Sequence, residues 1–580
     1  MSTEKLITDH IDIWTSAVQA KSASGRGSSK KRELYGIKKL RELILELAVR
    51  GKLVPQDPTD EPASVLLERI AAEKAQLVKD GKIKKSKSFP DLSPEELTFD
   101  LPNGWQWCRV GELFLSIASG GTPSKREPAY WDGDIPWASV KDLGKSKFLH
   151  DTQDHISDAG LIAGSRLANI DDLLICTRMG LGKIAIVKTP MAFNQDLKSA
   201  TLSKFIQTDF FLNSYSTIKI TGTGTTVAGI TQDQLLNYVF ALPPMSEQHR
   251  IVAKVDELMA LCDRLEQQTD ASLDAHQVLV ETLLATLTNS QDATELMANW
   301  ARLSEHFDTL FTTEQSIDQL KQTILQLAVM GKLVPQNSND EPAAKLLERI
   351  AEEKAQLVKE KKIKKQKALP PIADDEKPFE LPKGWEWCRF GSVFYDLKYG
   401  TSQKSDYGVV GAPVLRIPNV VNGFISTDDL KFSSLTESEV EDLELSKGDL
   451  IFIRSNGSLG IVGRCTEVTR DLKGFAYAGY LVRARLPTEI VSSSYLSLVM
   501  QSNFIRTQIE RPIRTTTGVK NINSTELGNL TFAVPPLSQQ EKIVSKTLEI
   551  LEFCDALKSR IEDSQQTQLQ LTDAIVEQAL

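Results

Sequence analysis

ILELAVRGKLVPQDPTDEPASVLLERIAAEKAQLVK, Ile44 to Lys79, is written a second time as ILQLAVMGKLVPQNSNDEPAAKLLERIAEEKAQLVK, Ile324 to Lys359, without a gap. The likeness extends from Leu40 to Phe114 against Leu320 to Phe394, so that LPNGWQWCRVGELF (Leu101 to Phe114) returns as LPKGWEWCRFGSVF (Leu381 to Phe394) at a constant offset of 280. A repeat of this length decides the architecture before any local pattern is read. A second pair, ITQDQLLNYVFALPPMSEQHRIVAKVDELMALCDRLE (Ile230 to Glu266) and INSTELGNLTFAVPPLSQQEKIVSKTLEILEFCDALK (Ile522 to Lys558), stands at an offset of 292. The block enclosed by the second copies is therefore longer by 12 residues, the difference between offsets of 292 and 280.

The enclosed blocks scarcely resemble each other, although duplication alone would have left them as alike as the flanks. Near-identical flanks point to one partner bound twice, and dissimilar blocks to two different targets. The 580 residues divide accordingly into an N-terminal helical arm (1–97), a first variable block (98–244), a central helical spacer (245–377), a second variable block (378–536) and a C-terminal helical arm (537–580). Within the first arm, KSASGRGSSKK (Lys21 to Lys31) is a flexible Gly/Ser linker. Aligning His10-Ile11-Asp12-Ile13-Trp14 with His306-Phe307-Asp308-Thr309-Leu310 at an offset of 296 makes it an insertion of 16 residues over the offset of 280.

Residues 1–20 read as one short amphipathic helix. Apolar spacing predicts a helix from Leu34 to Val49 that stops at Gly51, the C′ position where glycine belongs. The next helix is expected from about Pro62 to Lys85, closing on Lys79, Lys82, Lys84, Lys85 and Lys87, with a twin run at Lys359, Lys361, Lys362, Lys364, Lys365 and Lys367. These lysines read either as a strip contacting phosphates or as a solvated helix end favoured by the dipole. Both variable blocks carry short β-rich runs, including DDLLICTR and GKIAIVKTP in the first and GDLIFIR and GYLVRARLP in the second, and each is expected to be an α+β domain.

After each block, apolar or small residues at Ile251, Val255, Leu258, Cys262, Leu265, Leu279 and Leu283, with twins Ile543, Thr547, Ile550, Cys554, Leu557, Leu571 and Ile575, suggest a coiled-coil seam. Ser272 and His276 interrupt it. About 37 residues at ~1.5 Å each would make a rod of roughly 55 Å. The C-terminal rod copies the first half of the central spacer and the N-terminal arm copies its second half. The expected fold is thus α+β, with two α+β domains separated by two long antiparallel helical spacers in a closed, approximately two-fold ring.

A composition of 41% hydrophobic and 25% charged residues is ordinary for a folded chain, and a net charge of −9 argues against a body that coats nucleic acid throughout. Any such face must be a local basic patch. The six cysteines form no CxxC pair, and four of them, Cys108 with Cys388 and Cys262 with Cys554, occupy matched repeat positions, which suits buried reduced thiols. With no apolar core for a signal peptide and no stretch of about 18 apolar residues, a cytoplasmic protein is expected.

Repeated helical spacers, divergent domains opening on LPxGWxW and closing on a PP-x-S-x-Q turn into a long helix, and GGTPSKREPAYWDGDIPW inside the first block together resemble the specificity subunits of Type I restriction-modification enzymes, over essentially the whole chain. The resemblance implies two target recognition domains that read an asymmetric bipartite DNA site, and helical regions that dock two methyltransferase subunits, joined by restriction/translocase subunits. It also implies no catalysis and no cofactor on this chain, with S-adenosylmethionine, ATP and Mg expected on the partners.

The residues agree with that absence. An adenine methyltransferase needs an [DN]PP[YF] loop, and Leu242-Pro243-Pro244-Met245, Val534-Pro535-Pro536-Leu537 and Leu369-Pro370-Pro371-Ile372 lack both its polar acceptor and its aromatic. Gly182-Lys183 is followed by Ile184, with Thr177 where the first glycine of a phosphate-binding loop belongs. Pro90-Asp91 has no ExK at nuclease spacing. The reading that stands beside the DNA reader is a structural adaptor clamping two protein partners without reading sequence.

Base readout needs Arg, Lys, Asn or Gln, and backbone positioning needs hydroxyls and amides. Gly-rich loops of the first block offer Ser119, Thr122, Lys125, Arg126, Tyr130, Lys141, Arg178, Lys183, Thr223, Thr225 and Thr226. Those of the second offer Lys398, Thr401, Gln403, Lys404, Arg416, Asn419, Arg454, Asn456, Arg511, Arg514, Thr515, Thr516 and Lys520. Trp105, Trp107, Trp385 and Trp387 recur identically and so suit packing anchors better than readers of different sequences.

Overall fold

The first repeated helix, Tyr35–Val49 in one copy and Glu314–Val329 in the other, ends on a glycine for a steric reason. Gly51 and Gly331 have φ of 65° and 71°, and a Cβ there would stand 2.9 Å from the Trp105 ring or 2.8 Å from the Trp385 ring. The chain is described here by a computed structural model covering residues 3–21, 31–85, 87–222, 228–511, 514–516 and 519–580.

Three helical expectations change. Residues 1–20 hold two short helices, Thr3–Asp9 and Ile11–Ser16, followed by a strand Gln19–Lys21 that pairs with Lys31–Glu33 across the linker. The second repeated helices, Ala63–Lys79 and Ala343–Lys359, stop six residues before Lys85 and its twin, because left-handed Gly81 (φ 69°) and Lys361 (φ 60°) turn the chain. After Lys79 and Lys359, which end the helices, the rest of each lysine run therefore lies beyond the helix, with Lys362 paired to Glu360 at 2.8 Å. The long helices Met245–Asn289 and Leu537–Ala579 have 45 and 43 residues, or about 68 and 65 Å at ~1.5 Å per residue, longer than the heptad pattern suggested.

The expected seam holds at Ile251, Val255, Leu258, Cys262 and Leu265 and, in the second copy, at Ile543, Thr547, Cys554 and Ile575, all buried, but slips between them. Leu279 and Leu571 are 49% and 43% exposed, while Val280, Leu284, Leu287 and Thr572 are buried. A straight helix drifts about 20° per heptad from a 3.5-residue repeat, so four heptads bring the next residue round to the apolar side.

The chain forms two compact units, Met1–Ser272 with Gln565–Leu580 and Leu273–Ser564, so the division falls inside both long helices. Each unit contains one variable block and its own helical packing. In the first, Arg41 pairs with Asp263 at 2.8 Å and Lys52 Nζ donates to the Leu580 carbonyl at 2.6 Å. In the second, the equivalent Lys321 pairs with Asp555, and Lys332 Nζ donates to the Thr288 carbonyl at 2.9 Å. Ser16 Oγ and Tyr35 Oη donate to Gln568 and Asp573 at 2.6 and 2.8 Å, joining the N-terminal arm to the last helix within the first unit.

Each domain is closed by a two-stranded frame, Gln106–Arg109 with Val239–Leu242 and Glu386–Arg389 with Thr531–Val534. In the first, a five-stranded sheet runs Phe114–Ser119, Leu197–Leu202, Leu173–Cys176, Ile184–Val187, Phe148–Leu149, beside a sheet of Asp154–Ile156, Ile135–Ala138, Met191–Phe193 and Leu167–Ala168. In the second, Asp396–Tyr399, Leu481–Arg485, Leu450–Ile453 and Cys465–Glu467 form one sheet, and Lys431–Ser433, Ala412–Leu415 and Ala476–Tyr477 the other. The first four and first three strands correspond one for one, parallel and antiparallel alike. Blocks that share almost no sequence share a strand order. Leu173–Cys176 and Leu450–Ile453 are buried at every position, as the central apolar strand of a covered sheet must be. All six cysteines are buried free thiols, and among the described residues no helix is long and apolar enough to cross a membrane.

Candidate nucleic-acid interface

The register of the sheets gathers loops that the sequence keeps far apart. Ser119 faces Lys198, Leu197 faces Cys176, Ile175 faces Ile184, and in the smaller sheet Phe193 faces Ala138. The turns after Ser119, Ala138 and Cys176 and before Ile184 and Leu197 therefore share one sheet edge. In the second domain Tyr399 faces Val482, Ile453 faces Leu481, Phe452 faces Cys465 and Leu415 faces Tyr477, which makes the same edge.

The close turns at these edges are built alike. A Cβ on Gly120 would lie 2.2 Å from the Asn194 carbonyl, and one on Gly400 2.1 Å from that of Tyr477, so both positions exclude a side chain. The next turn is pinned by a side-chain oxygen: Asp142 accepts from the Ser139 amide at 2.8 Å, and Asn419 from the Arg416 amide at 2.8 Å.

The edge of the first domain brings together Ser119, Thr122, Lys141, Arg178 and Lys183. Thr122 Oγ1 donates to Gln195, Lys183 Nζ reaches the Val140 carbonyl at 3.5 Å, and exposed Arg178 stands 3.7 Å from Asp196. Lys125 and Arg126 are exposed on the excursion that follows, where Lys125 lies over the Trp131 ring. Tyr130 packs at the start of strand Ile135–Ala138 instead of its end, its carbonyl accepting from Ser157 at 3.0 Å. Thr223, Thr225 and Thr226 lie outside the described residues.

In the second domain Thr401, Gln403, Lys404, Arg416, Arg454, Asn456 and Lys520 belong to the edge loops. Lys398, one residue inside the strand, is paired with Asp442. Gln403 reaches Glu439 at 3.4 Å, and Lys404 is exposed. Arg416 is engaged by Asp429 at 2.8 Å. Asn419 is a correction to its selection as a base reader: it is 2% exposed, and its amide is consumed by the Arg416 amide and the Ser426 and Asp429 carbonyls. Asn456 Oδ1 accepts from the Ser458 amide at 2.8 Å. Arg511 is exposed beyond the helix Asn503–Glu510. A ribbon absent from the described first domain, Ser455–Asn456 with Val519–Asn521 and Arg514–Thr516, sets Lys520 opposite Asn456 and Thr515. Arg514, Thr515 and Thr516 are described by that backbone pairing alone.

Residue type in Gly-rich loops passed over two further residues at this edge, Lys198, one residue inside its strand, and Tyr399, the last of its strand. Lys198 Nζ donates to Ser119 Oγ at 2.7 Å, and burial pulls its ammonium below the ordinary value, against Asp196. Tyr399 lies under the Arg454 guanidinium at 4.6 Å. Alternation along DLKSATL signals Lys198 as an outward strand residue.

The matched tryptophans belong to the frame. Trp105 Nε1 donates to Glu247 on the first long helix at 3.0 Å, Trp385 Nε1 to Gln336 at 2.9 Å, and Trp107 and Trp387 pack at a tilt against Phe99 and Phe379. Buried Arg109 binds Glu96 and the Pro90, Asp91 and Asn237 carbonyls, as Arg389 binds Glu376 and the Pro370, Pro371 and Asn529 carbonyls. The diprolines are thus bracing elements: the Pro243 and Pro535 carbonyls likewise accept from Gln248 and Gln540 at 3.1 and 3.0 Å. Beside each frame a half-buried lysine caps a turn, Lys74 on the Gly111 and Glu112 carbonyls and Lys354 on that of Gly391, and burial pulls both ammonium groups down to about 8.

Comparison with known proteins adds relatives to this geometry. The family model described as the Type I restriction modification DNA specificity domain matches residues 102–275. The specificity subunits of the Type I restriction enzymes EcoAI and EcoEI, both from Escherichia coli, are 44% and 42% identical to the chain, with each alignment covering 100% of both proteins. The crystal structure of the HsdS subunit from Thermoanaerobacter tengcongensis aligns at 18% identity and a TM-score of 0.39, over 83% of this chain and 98% of that one.

Proposed function

The chain belongs to the specificity subunits of Type I restriction-modification systems, and from that premise we propose that it reads an asymmetric, bipartite duplex site, with residues 98–244 on one half and residues 378–536 on the other. One observation carries this: two domains of the same strand order, on frames matched residue for residue, present different side chains along the same edge. A common scaffold with different edge groups is what two different half-sites require, because phosphate contacts position while base contacts specify.

The helical segments 1–97, 245–377 and 537–580 are the docking surfaces for two methyltransferase subunits, with restriction/translocase subunits joining that core. The chain supplies geometry and no reacting group. S-adenosylmethionine, ATP and Mg belong to the partner subunits, and the assembly works in the cytoplasm. Support for two equal docking sites comes from the recurrence of Arg41–Asp263 as Lys321–Asp555 and of Lys52–Leu580 as Lys332–Thr288.

Native mass spectrometry with saturating methyltransferase tests the stoichiometry, with a 2:1 complex expected and a stable 1:1 complex contradicting it. A gel shift of that complex tests the readout. Selective binding of one duplex sequence is expected, and indifference to sequence would leave only the adaptor role.

A further inference from the structure

We propose that Arg454, held over the ring of Tyr399, reads a guanine in the half-site of the second domain, an assignment that rests on the DNA-reading function above. Its backbone is pinned on both sides, the amide donating to the Tyr480 carbonyl at 3.0 Å and the carbonyl accepting from Ile522 at 2.9 Å. The guanidinium carbon lies 4.6 Å from the Tyr399 ring centre, and that ring is fixed by the Ser524 amide donating to its hydroxyl at 2.9 Å. Stacking of this kind orders the planar fork before any ligand arrives.

The other partly buried arginines of the domain are already engaged. Arg416 holds Asp429, Arg483 holds Asp396, Arg485 holds Asp449 and Arg506 holds Glu510. Arg454 has neither a carboxylate nor a carbonyl partner among the described residues, and its Nε is buried without an acceptor, as are those of Arg416 and Arg483, which keep their carboxylates. A partly buried cation left in this state is costly. Guanine offers two acceptors, N7 and O6, at the spacing of the arginine fork, which makes it the base that this group fits.

The first domain cannot make the same contact. Ile230 donates to the Thr177 carbonyl at 2.9 Å as Ile522 does to that of Arg454, so Thr177 is the equivalent residue. Thr177 is buried, with its hydroxyl donating to the Asp196 carbonyl at 3.0 Å. This arginine contact therefore belongs to the second half-site alone.

The test selects binders from a pool of randomised duplexes, using the chain assembled with its methyltransferase subunits. Wild type is compared with Arg454→Ala, Arg454→Lys and Arg470→Ala; exposed Arg470 follows the far end of strand Cys465–Glu467 and removes the same charge away from the edge. Wild type should enrich a bipartite motif with a guanine in the second half-site, and Arg454→Ala should lose preference at that one position. Affinity for the selected duplex should fall roughly 5- to 150-fold, the worth of one bidentate pair. Arg454→Lys, which keeps the charge without the fork, should relax the same position, and 7-deazaguanine there should weaken wild type but not Arg454→Ala. Unchanged base preference in both Arg454 variants, or a uniform loss like that of Arg470→Ala, would overturn the assignment while leaving the DNA-reading function intact. A wild-type pool with no motif would instead overturn that function, and this assignment with it.

Discussion

Residues 98–244 and 378–536 differ at almost every position outside their frames, yet the backbone bonds that fix their edges are the same. Gly121 donates to the Phe193 carbonyl at 2.9 Å as Thr401 does to that of Tyr477 at 2.8 Å, and Asn194 to that of Ala138 as Ala478 to that of Leu415, both at 2.9 Å. The fold is specified by few side chains, chiefly the glycines that permit close approach and the Asp142 or Asn419 oxygen that caps the next turn. The remaining edge positions are free to diverge. Frame positions should therefore respond to substitution identically in both halves, and edge positions should not.

The largest frame effect is expected at Arg109 and Arg389, which are 4% and 6% exposed. Replacing either with alanine strands several carbonyls, at about 3 kcal/mol in chemical denaturation. A large cost in one half and a negligible one in the other would break the equivalence.

Lys74 and Lys354 give a similar but pH-dependent signal. Their folded values are pulled down to about 8 by burial, while an unfolded lysine keeps its proton to about 10.4. The unfolded chain thus binds the extra proton between those limits, so stability contributed by each site rises with pH there and is flat below. Relative to Lys74→Met or Lys354→Met, wild type should gain about 2–3 kcal/mol per site between pH 8 and pH 10.4 in melts read against pH. A wild-type advantage that shrinks over this window would reverse the sign and refute the burial argument.

The smallest effect is expected on the helices. Lys558 pairs with Asp318 at 2.9 Å, whereas its counterpart Glu266 pairs with Arg41 at 2.5 Å, so the charge at this position has reversed between copies and taken a partner at a different position. Both are solvent-facing, and Lys558→Ala or Glu266→Ala should cost at most about 1 kcal/mol. A double-mutant cycle well above that value would make these pairs structural determinants.

The repeat made the arms, the frames and the helix-ending Gly51 legible from sequence, because each rests on a particular side chain or on its absence. The common strand order was not legible, since it resides in backbone bonds and β-rich runs that diverged sequences satisfy equally well. The seam was partly legible: heptad spacing holds through Leu265 and again at Ile575, but between them the buried position advances by one residue, to Val280 and Thr572, under the 3.6-residue period. Among the edge residues, type alone picked out Arg454 and Arg178 but could not see that Asn419 is spent inside its own loop or that Lys198 and Tyr399 reach the edge from strands.

The most direct measurement exchanges residues 98–244 for the corresponding domain of a relative with a known, different target and maps methylated sites genome-wide in a host expressing the complete system. One half of the bipartite site should change to that of the donor, with the other half and the gap unchanged. A change in both halves, or none in either, would contradict one-domain-per-half-site reading.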